Sequence, residues 1–291
     1  MGIAYHARPR GVRAAILGAV LHDLGAQTRA PDRILVCHVG PEDVADLPAR
    51  FPAVTFLAAP AGLPRQRNAI LDAVPDCDSV LFLDAEFLCD PPYVAVTEQV
   101  LAAHPDCVVT TGTVIADGAK GPGIGVEEGR ALLATDRFAG DSLATHPHFN
   151  GYGCNMALRL APLRAHRLRF DEQLPLYAWY EDIDLTRRLG AHGAILRLDG
   201  ARGVHLGTKS GRVAQTRLGY SQVANAVYLA RKGSYPWNHA LPSIGRHIAM
   251  NAARSAFPEA HVDRFGRFRG NLRALADLLR GRMHPMRVLE M

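Results

Sequence analysis

Asp84 and Glu86 have the spacing and the setting that metal-assisted chemistry requires. They directly follow an apolar run at residues 79–83. Such a run is typical of a central strand in a parallel sheet, and ligands bind beyond the carboxyl ends of such strands. Two carboxylates one residue apart can reach one divalent cation, which would neutralise a departing diphosphate. The same spacing equally fits an aspartate that only caps the next segment.

A second acidic group, Glu181, Asp182 and Asp184, follows Trp179 and Tyr180 at a predicted loop-to-helix junction. A carboxylate there, partly shielded from water by the two aromatic rings, would be suited to act as general base toward a hydroxyl. Acidic residues are also common in a first helical turn because they complement the helix dipole. The pattern alone leaves both interpretations open, and we assign Asp184 to the structural one.

Short apolar runs alternate with amphipathic segments along most of the chain. Strands are predicted at residues 3–5, 33–37, 54–57, 79–83, 107–111 and 194–198. The segments between them include predicted helices at residues 12–27, 65–74 and 182–189, and the chain beyond residue 211 is mostly helical in pattern. This alternation predicts an α/β fold with a mostly parallel central sheet flanked by helices.

Composition excludes several classes of protein. The chain has 291 residues, 48% of them hydrophobic, and a net charge of +5. Its five cysteines are scattered without zinc-type spacing, which indicates reduced thiols in a cytosolic protein. No apolar stretch approaches the roughly 18 residues of a membrane span. We therefore expect a soluble, cytoplasmic protein.

The two acidic groups, with the intervening segment from Phe149 to Arg159, resemble the family 2 glycosyltransferases, inverting enzymes of the GT-A fold. The resemblance runs from about residue 3 to about residue 232. Asp84-Ala85-Glu86 occupies the position of the family's DxD motif, and Glu181-Asp182 that of its ED motif. The segment from Gly62 to Asn68 is similar to the family's glycine-to-Ala-Arg-Asn segment, and Arg8-Pro9 to the pair that follows its first strand.

The resemblance implies inverting transfer of a sugar from a nucleoside-diphosphate sugar to an acceptor hydroxyl, on a glycan or a lipid-linked glycan. Asp182 would be the base, in a motif shared with Glu181. Mn²⁺ or Mg²⁺ would be bound by Asp84, Glu86 and the late histidine His205. The donor would contact side chains from four parts of the sequence: Arg65, Arg67, Asn68, Asp84, Asn155 and Trp179. We expect a GT-A catalytic domain at residues 1–212 and a basic helical region at residues 213–291.

The sequence departs from the family pattern at three places. His38 replaces the usual aspartate after the second strand, Tyr5-His6-Ala7 replaces Thr-Tyr-Asn, and the DxD motif is DxE. Two alternatives remain. One is a non-catalytic relative that binds a sugar or a protein partner. The other is a sugar-phosphate nucleotidylyltransferase, which the lack of its glycine-rich loop after the first strand disfavours.

The predicted C-terminal helix is basic and amphipathic. Phe265, Phe268, Leu272, Leu275, Leu278 and Leu279 alternate with arginines at helical spacing. Such a helix would either bind an anionic membrane surface, placing the protein at the inner face of the membrane, or pack on the rest of the chain with its arginines in solvent. The alternation of basic residues with stacking aromatics that nucleic-acid binding requires is sparse, so no nucleic-acid partner is expected.

Overall fold

The computed structural model describes residues 1–5, 12–208, 214–257 and 259–291. His6, Arg8 and Pro9, which entered the family comparison, lie outside these ranges. The chain divides into two compact units. The first unit comprises Met1–Ala61, Arg65–Arg169 and Arg188–Gly211, and the second comprises Gly62–Pro64, Phe170–Arg187 and Arg212–Met291.

One mixed sheet forms the centre of the first unit. Its strands are β1 (Gly2–Ala4), β2 (Ile34–His38), β3 (Val54–Ala58), β4 (Ser79–Asp84), β5 (Phe87–Cys89), β6 (Cys107–Asp117), β7 (Thr145–Pro147), β8 (Asn155–Arg159) and β9 (Ala194–His205). Their spatial order is β3-β2-β1-β4-β8-β6-β9-β5, and β7 pairs with β9. Strands β3, β2, β1 and β4 are parallel, and β8 runs antiparallel to its neighbours β4 and β6. Strand β9 is parallel to β6 and antiparallel to β5 and β7.

The helices of the first unit come from the segments between strands. They are α1 (Val12–Gly25), α2 (Pro41–Val44), α3 (Leu47–Arg50), most of α4 (Leu63–Asp72), α5 (Tyr93–Ala103), α6 (Val126–Thr135) and α7 (Leu160–Ala165). The spacing of apolar residues explains how they pack. Helix α1 buries Leu17, Leu21 and Leu24, which recur at threes and fours and therefore share one face. That face belongs to the same buried cluster as Ile3 and Val36 of the sheet.

The predicted α/β fold, with a sheet flanked by helices, is confirmed. The apolar run at residues 107–111 is the beginning of the longer strand β6, which continues to Asp117. The antiparallel position of β8 between β4 and β6 is not visible in the sequence. Apolar periodicity reports which faces of a strand are buried, but it carries no information on strand direction.

The second unit is mostly helical. It contains most of α8 (Glu181–Leu189), then α9 (Gln215–Lys232), α10 (Trp237–Ser255), α11 (Arg264–Leu279) and a short 3-10 helix at Pro285–Glu290. Of the helices that the structure describes, none is long and apolar enough to span a bilayer. The division into domains 1–212 and 213–291 stays a prediction. The second unit also takes in Phe170–Arg187, well before the C-terminal helices in sequence.

Glycines allow α9 and α11 to pack backbone against backbone. A Cβ atom on Gly219 would lie 2.0 Å from the carbonyl oxygen of Arg267, and one on Gly270 would lie 2.0 Å from that of Thr216. Buried amides then connect α9, α10 and α11. The Nδ2 atom of Asn251 donates to Gln222 Oε1 at 3.0 Å and to Asn271 Oδ1 at 2.9 Å. The unit is therefore held by close approach and by satisfied polar groups as well as by apolar burial.

We expect Gly270→Ala to lower the free energy of unfolding by about 2–3 kcal/mol, because the added methyl group forces α9 and α11 apart. Gly245→Ala is the matched control on α10, where an added Cβ meets nothing within 4 Å. This control should be neutral or should stabilise by about 0.5–1 kcal/mol through helix propensity. Denaturant unfolding monitored by circular dichroism measures both. Equal stability of the two variants would contradict the backbone packing.

Candidate functional site

The acidic pair of the sequence lies where β4 ends and the chain turns into β5. Asp84 is the last residue of β4, and its backbone N–H donates to the carbonyl oxygen of Cys154 at 3.0 Å. The carbonyl oxygen of Glu86 accepts from the N–H of Leu206 at 2.9 Å. These hydrogen bonds fix the backbone of both residues. Both side chains are largely shielded, being 28% and 15% exposed.

His205, the last residue of β9, is the third member of the site. The sheet register places it opposite Asp117 of β6 and opposite Phe87 of β5. Its Nδ1 atom donates to Asp117 Oδ1 at 2.9 Å. Burial opposes the charged ring, but this hydrogen bond and the nearby carboxylates of Asp84 and Glu86 raise the pKa of His205 above its ordinary value. The ring is therefore held in one orientation in a strongly negative environment.

Three atoms of types that can bind a metal ion face one another at this point. His205 Nε2 lies 3.6 Å from Asp84 Oδ2 and 3.7 Å from Glu86 Oε1. The Nε2 atom is buried and has no hydrogen-bond partner among the described residues. A buried polar atom without a partner is unfavourable, and its presence here indicates a group that the protein alone does not supply. Burial, the largest influence, also raises the pKa of Asp84.

Each of the three side chains is also bound on its other side. Arg67 Nη2 lies 3.4 Å from Asp84 Oδ1. The backbone N–H and the hydroxyl of Thr208 donate to Glu86 Oε2. Asp117 binds the opposite ring nitrogen of His205, and this hydrogen bond lowers the pKa of Asp117 although burial alone would raise it. Ligands held in this way by outer partners are typical of metal sites.

The three side chains have the chemistry of a divalent-cation site but not its closed geometry. No three His, Cys, Asp or Glu side chains within the described ranges form a ready metal-binding group. Two ligands about 2.1 Å from one cation lie about 3.0 Å apart when they subtend a right angle. His205 Nε2 lies 3.6 and 3.7 Å from the two carboxylate oxygens, so each pair would have to close by about 0.6–0.7 Å to share a cation. The carboxylate oxygens suit Mg²⁺ or Mn²⁺, and a neutral imidazole nitrogen suits Mn²⁺ as well.

The three residues of helix α4 that we predict to bind the sugar nucleotide lie in different surroundings. Arg65 is exposed, whereas Arg67 and Asn68 are buried. The Arg67 side chain, 2% exposed, donates to the carbonyl oxygen of Gly153 at 2.6 Å and reaches Asp84. Of the three, Arg65 alone is exposed to solvent, while Arg67 contacts the carboxylate of Asp84 from within the fold. The roles of these residues toward a phosphate stay predictions.

Asn155 is brought near the site but is fully enclosed. Its Oδ1 atom accepts from the hydroxyl of Thr111 at 2.9 Å, and its Nδ2 atom donates to the carbonyl oxygen of Gly112 at 3.1 Å. Both ends of the amide thus connect β8 to β6. In this arrangement Asn155 orders the sheet beside the site, and a contact with a sugar hydroxyl would require it to exchange these partners.

The second acidic motif lies at the beginning of α8 in the second unit. Glu181 is buried, and the carboxylate of Asp182, half-buried, accepts from the backbone N–H of Ile183 at 2.8 Å. Asp184 is fully buried and binds Lys232 Nζ at 2.9 Å and the hydroxyl of Ser234 at 2.6 Å. Asp184 is thus engaged in structural contacts, whereas Asp182 is partly exposed. The catalytic role of Asp182 and Glu181 stays a prediction.

The loop that leads into this motif is conformationally strained. Leu176, Ala178 and Tyr180 have φ angles of 59°, 53° and 76°. Each such residue costs of order 1–3 kcal/mol, and strain of this kind concentrates at functional sites. The Tyr180 hydroxyl lies 2.7 Å from Ser243 Oγ and 3.0 Å from His247 Nε2 on α10.

Trp179, a predicted sugar platform, lies in the same loop and is half-buried. Its carbonyl oxygen accepts from Asn225 Nδ2 at 2.8 Å, and its ring lies 5.7 Å from that of His247. The pKa of His247 is lowered to about 4, and burial is the largest cause. A small pocket beside Trp179 is lined by residues of the same unit, including Pro175, Tyr177, Leu218 and Ser221.

Two members of the site, Asp117 and Thr208, were missed from the sequence. Asp117 could have been predicted from the sequence, because it is an acidic residue at the carboxyl end of a strand. The predicted strand ended six residues too early for this to be seen. Thr208 follows the last strand without any motif, and only the pairing of β9 with β5 brings it to Glu86.

No family model matches the sequence, and no curated protein matches it. Solved structures that resemble the fold include S. aureus TarS and GalNAc-T7. S. aureus TarS superposes with a TM-score of 0.52 at 14% identity, over 89% of this chain and 43% of that one. GalNAc-T7, crystallised with UDP, GalNAc and Mn²⁺, superposes with a TM-score of 0.58 at 11% identity, over 99% of this chain and 55% of that one.

Both are glycosyltransferases of the GT-A fold, and the chain has this fold. It spans only about half the length of either solved chain. At these identities the likeness concerns the fold, so the activity and the substrates are matters of proposal.

We expect Arg67→Met to lower the free energy of unfolding by about 3 kcal/mol, because it leaves the Gly153 carbonyl and the Asp84 carboxylate without a buried cation. Arg65→Met is the matched control two residues earlier on the same helix. Because Arg65 is exposed, its replacement should change stability by no more than about 0.5 kcal/mol. Equilibrium unfolding in urea measures both, and a similar loss in the two variants would rule out the supporting role of Arg67.

Proposed function

We propose that the protein is an inverting, nucleotide-sugar-dependent glycosyltransferase of family 2. The observation that carries the proposal is the approach of His205 Nε2 to Asp84 Oδ2 and Glu86 Oε1 in a GT-A fold, with no hydrogen-bond partner for this nitrogen among the described residues. Three such donors at the carboxyl end of a central strand suit the diphosphate of a sugar nucleotide with its cation. This arrangement was expected from the DxE motif and the late histidine.

The donor diphosphate would be bound on the first unit. Mn²⁺ or Mg²⁺, held by Asp84, Glu86 and His205, would neutralise the negative charge that develops on the leaving nucleoside diphosphate. Arg65 is exposed and can offer a planar fork of N–H donors to a phosphate. Arg67 would act indirectly, by holding the carboxylate of Asp84 in place. GalNAc-T7 was crystallised with UDP and Mn²⁺, so uridine nucleotides with manganese are the first ligands to test.

Asp182 is the proposed general base. Its carboxylate would accept the proton of the acceptor hydroxyl while the hydroxyl oxygen forms a bond to the anomeric carbon and the bond from that carbon to the phosphate oxygen breaks. Attack from the face opposite the leaving group inverts the anomeric configuration. Glu181, buried beside it, would fix the start of α8. The strained loop from Leu176 to Tyr180 supports the assignment, because its strain is maintained directly before this residue.

The proposed acceptor is a glycan or a lipid-linked glycan. The half-buried ring of Trp179 would suit the apolar face of a sugar. A lipid-linked acceptor would place the reaction at the cytoplasmic face of a membrane, which the protein would reach as a peripheral partner.

We expect Asp182→Asn to lower kcat by about 10²–10⁴ while donor binding and stability stay close to those of the wild type, because only proton removal is lost. Steady-state release of nucleoside diphosphate and calorimetric donor binding measure the two effects. Asp184→Asn on the same helix is the contrast, since it should lose stability through its broken contact with Lys232. Near-normal turnover by Asp182→Asn would remove this residue as the base. Donor binding without turnover in the wild type would favour the non-catalytic alternative.

We expect Mn²⁺ binding, followed by electron paramagnetic resonance, to be abolished by Glu86→Gln and by His205→Ala. Asp117→Asn should weaken it by about 10–100-fold, because the histidine loses the carboxylate that orients it. Asp199→Asn is the matched control. Asp199 also binds a histidine, His146, at 2.8 Å, but this pair lies away from the site. Unchanged Mn²⁺ affinity in all the site variants would show that the carboxylates serve another purpose.

A further inference from the structure

The outer face of α11 carries a straight line of large apolar side chains. Phe265, Leu272 and Leu279 are spaced by seven residues, close to two helical turns, so they lie along one side of the helix. Their side chains are 58%, 48% and 89% exposed. The line is about 21 Å long at 1.5 Å per residue. Exposed apolar residues on soluble proteins are usually scattered, and an ordered row of three indicates a binding surface.

The apolar line lies opposite the side of α11 that is buried in the described part of the second unit. The buried side of α11 consists of Gly266, Gly270, Asn271, Ala274 and Asp277. The stripe predicted from the sequence is therefore divided between two environments. Phe268, Leu275 and Leu278 are half-buried beside the packed side, whereas Phe265, Leu272 and Leu279 project from the opposite one.

Arginines border the exposed line along one side. Arg269, Arg273 and Arg280 are exposed. Arg269 lies four residues after Phe265 and three before Leu272, so it borders the line directly. Arg273 and Arg280 each follow a member of the line by one residue and therefore lie about 100° around the helix from it. Within the described ranges none of the three pairs with a carboxylate.

The acidic residues of this region are engaged elsewhere. Glu259 binds Arg254 and Arg264, and Asp263 accepts the N–H of Gly266 as the N-cap of α11. Asp277 is buried against Arg282 and Arg287, and Glu290 pairs with Arg287. The outer face of α11, defined by the three apolar residues and their three neighbouring arginines, is thus apolar and positive with no negative side chain of its own.

We infer that the outer face of α11 docks on the surface of an anionic lipid bilayer, with the helix lying parallel to the membrane plane. The apolar line enters the boundary between headgroups and acyl chains while the arginines bind lipid phosphates. A second copy of the chain fits less well, because an antiparallel two-fold pairing of this face would bring arginines against arginines. A nucleic acid would leave the apolar line in water. The inference concerns α11 of the second unit and does not depend on the proposed glycosyl transfer.

The experiment is co-sedimentation of the full chain with vesicles of phosphatidylcholine alone and with vesicles containing about one third phosphatidylglycerol. We expect binding to the anionic vesicles only, weakened by salt because exposed charges are screened over about 10 Å at 0.1 M ionic strength. Each arginine near such a surface changes the affinity about fivefold, so R269Q/R273Q/R280Q should lose on the order of 100-fold. F265Q/L272Q/L279Q should lose at least about tenfold.

The matched control is R33Q/R50Q/R137Q, which removes the same charge from exposed positions in the first unit and should stay within about threefold of the wild type. Circular dichroism establishes that all variants are folded. Equal binding by the wild type and both α11 variants, or no binding by the wild type at low salt, would overturn the inference. So would concentration-dependent dimerisation in the absence of vesicles that F265Q/L272Q/L279Q abolishes, since it would make the face a contact between copies.

Discussion

The register of β9 between β6 and β5 is the constraint on which the candidate site depends. The backbone hydrogen bonds of these strands place His205 opposite Asp117 on one side and opposite Phe87 on the other. A slip by one residue would turn every side chain of the strand to the other face of the sheet. His205 would then leave Asp84 and Glu86, and the buried Nε2 atom would lose its position between two carboxylates. The chemistry of the site is therefore a property of strand pairing as much as of the three side chains.

The electrostatics of the site follow from burial. Two carboxylates and a histidine shielded from water would be unfavourable if each stood alone. Arg67 offsets part of this cost for Asp84, Thr208 for Glu86, and Asp117 for His205. These contacts satisfy the outer atoms of the three side chains and leave the inner atoms facing one another. A cation would complete the arrangement, because it is the ligand that such a set of oxygen and nitrogen atoms favours.

The second unit uses a different means to hold its acidic motif. Helices α9 and α11 approach closely enough to require glycine at Gly219 and Gly270. Helix α10, tied to both by buried amides, binds the Tyr180 hydroxyl through Ser243 and His247. A rigid support of this kind can maintain the unfavourable backbone of residues 176–180 directly before Asp182. The strained conformation is thus maintained by packing that lies far away in the sequence.

The features that the sequence determined by itself are local. An apolar run predicts β4. Asp84 and Glu86 directly follow this run, which places them at the carboxyl end of the strand. The acidic residues after Trp179 predict the beginning of α8. Each depends on neighbours within a few residues, where periodicity and capping preferences act.

The tertiary structure decided what depends on distant pairing. Nothing near Arg67 in the sequence shows that it is buried behind Asp84, while Arg65 on the same helix remains exposed. Nothing near Thr208 shows that it binds Glu86, and the apolar residues of α11 did not reveal which of them face solvent. Strand direction, register and helix-to-helix contact depend on burial over the whole fold. They therefore cannot be determined from any short stretch of residues.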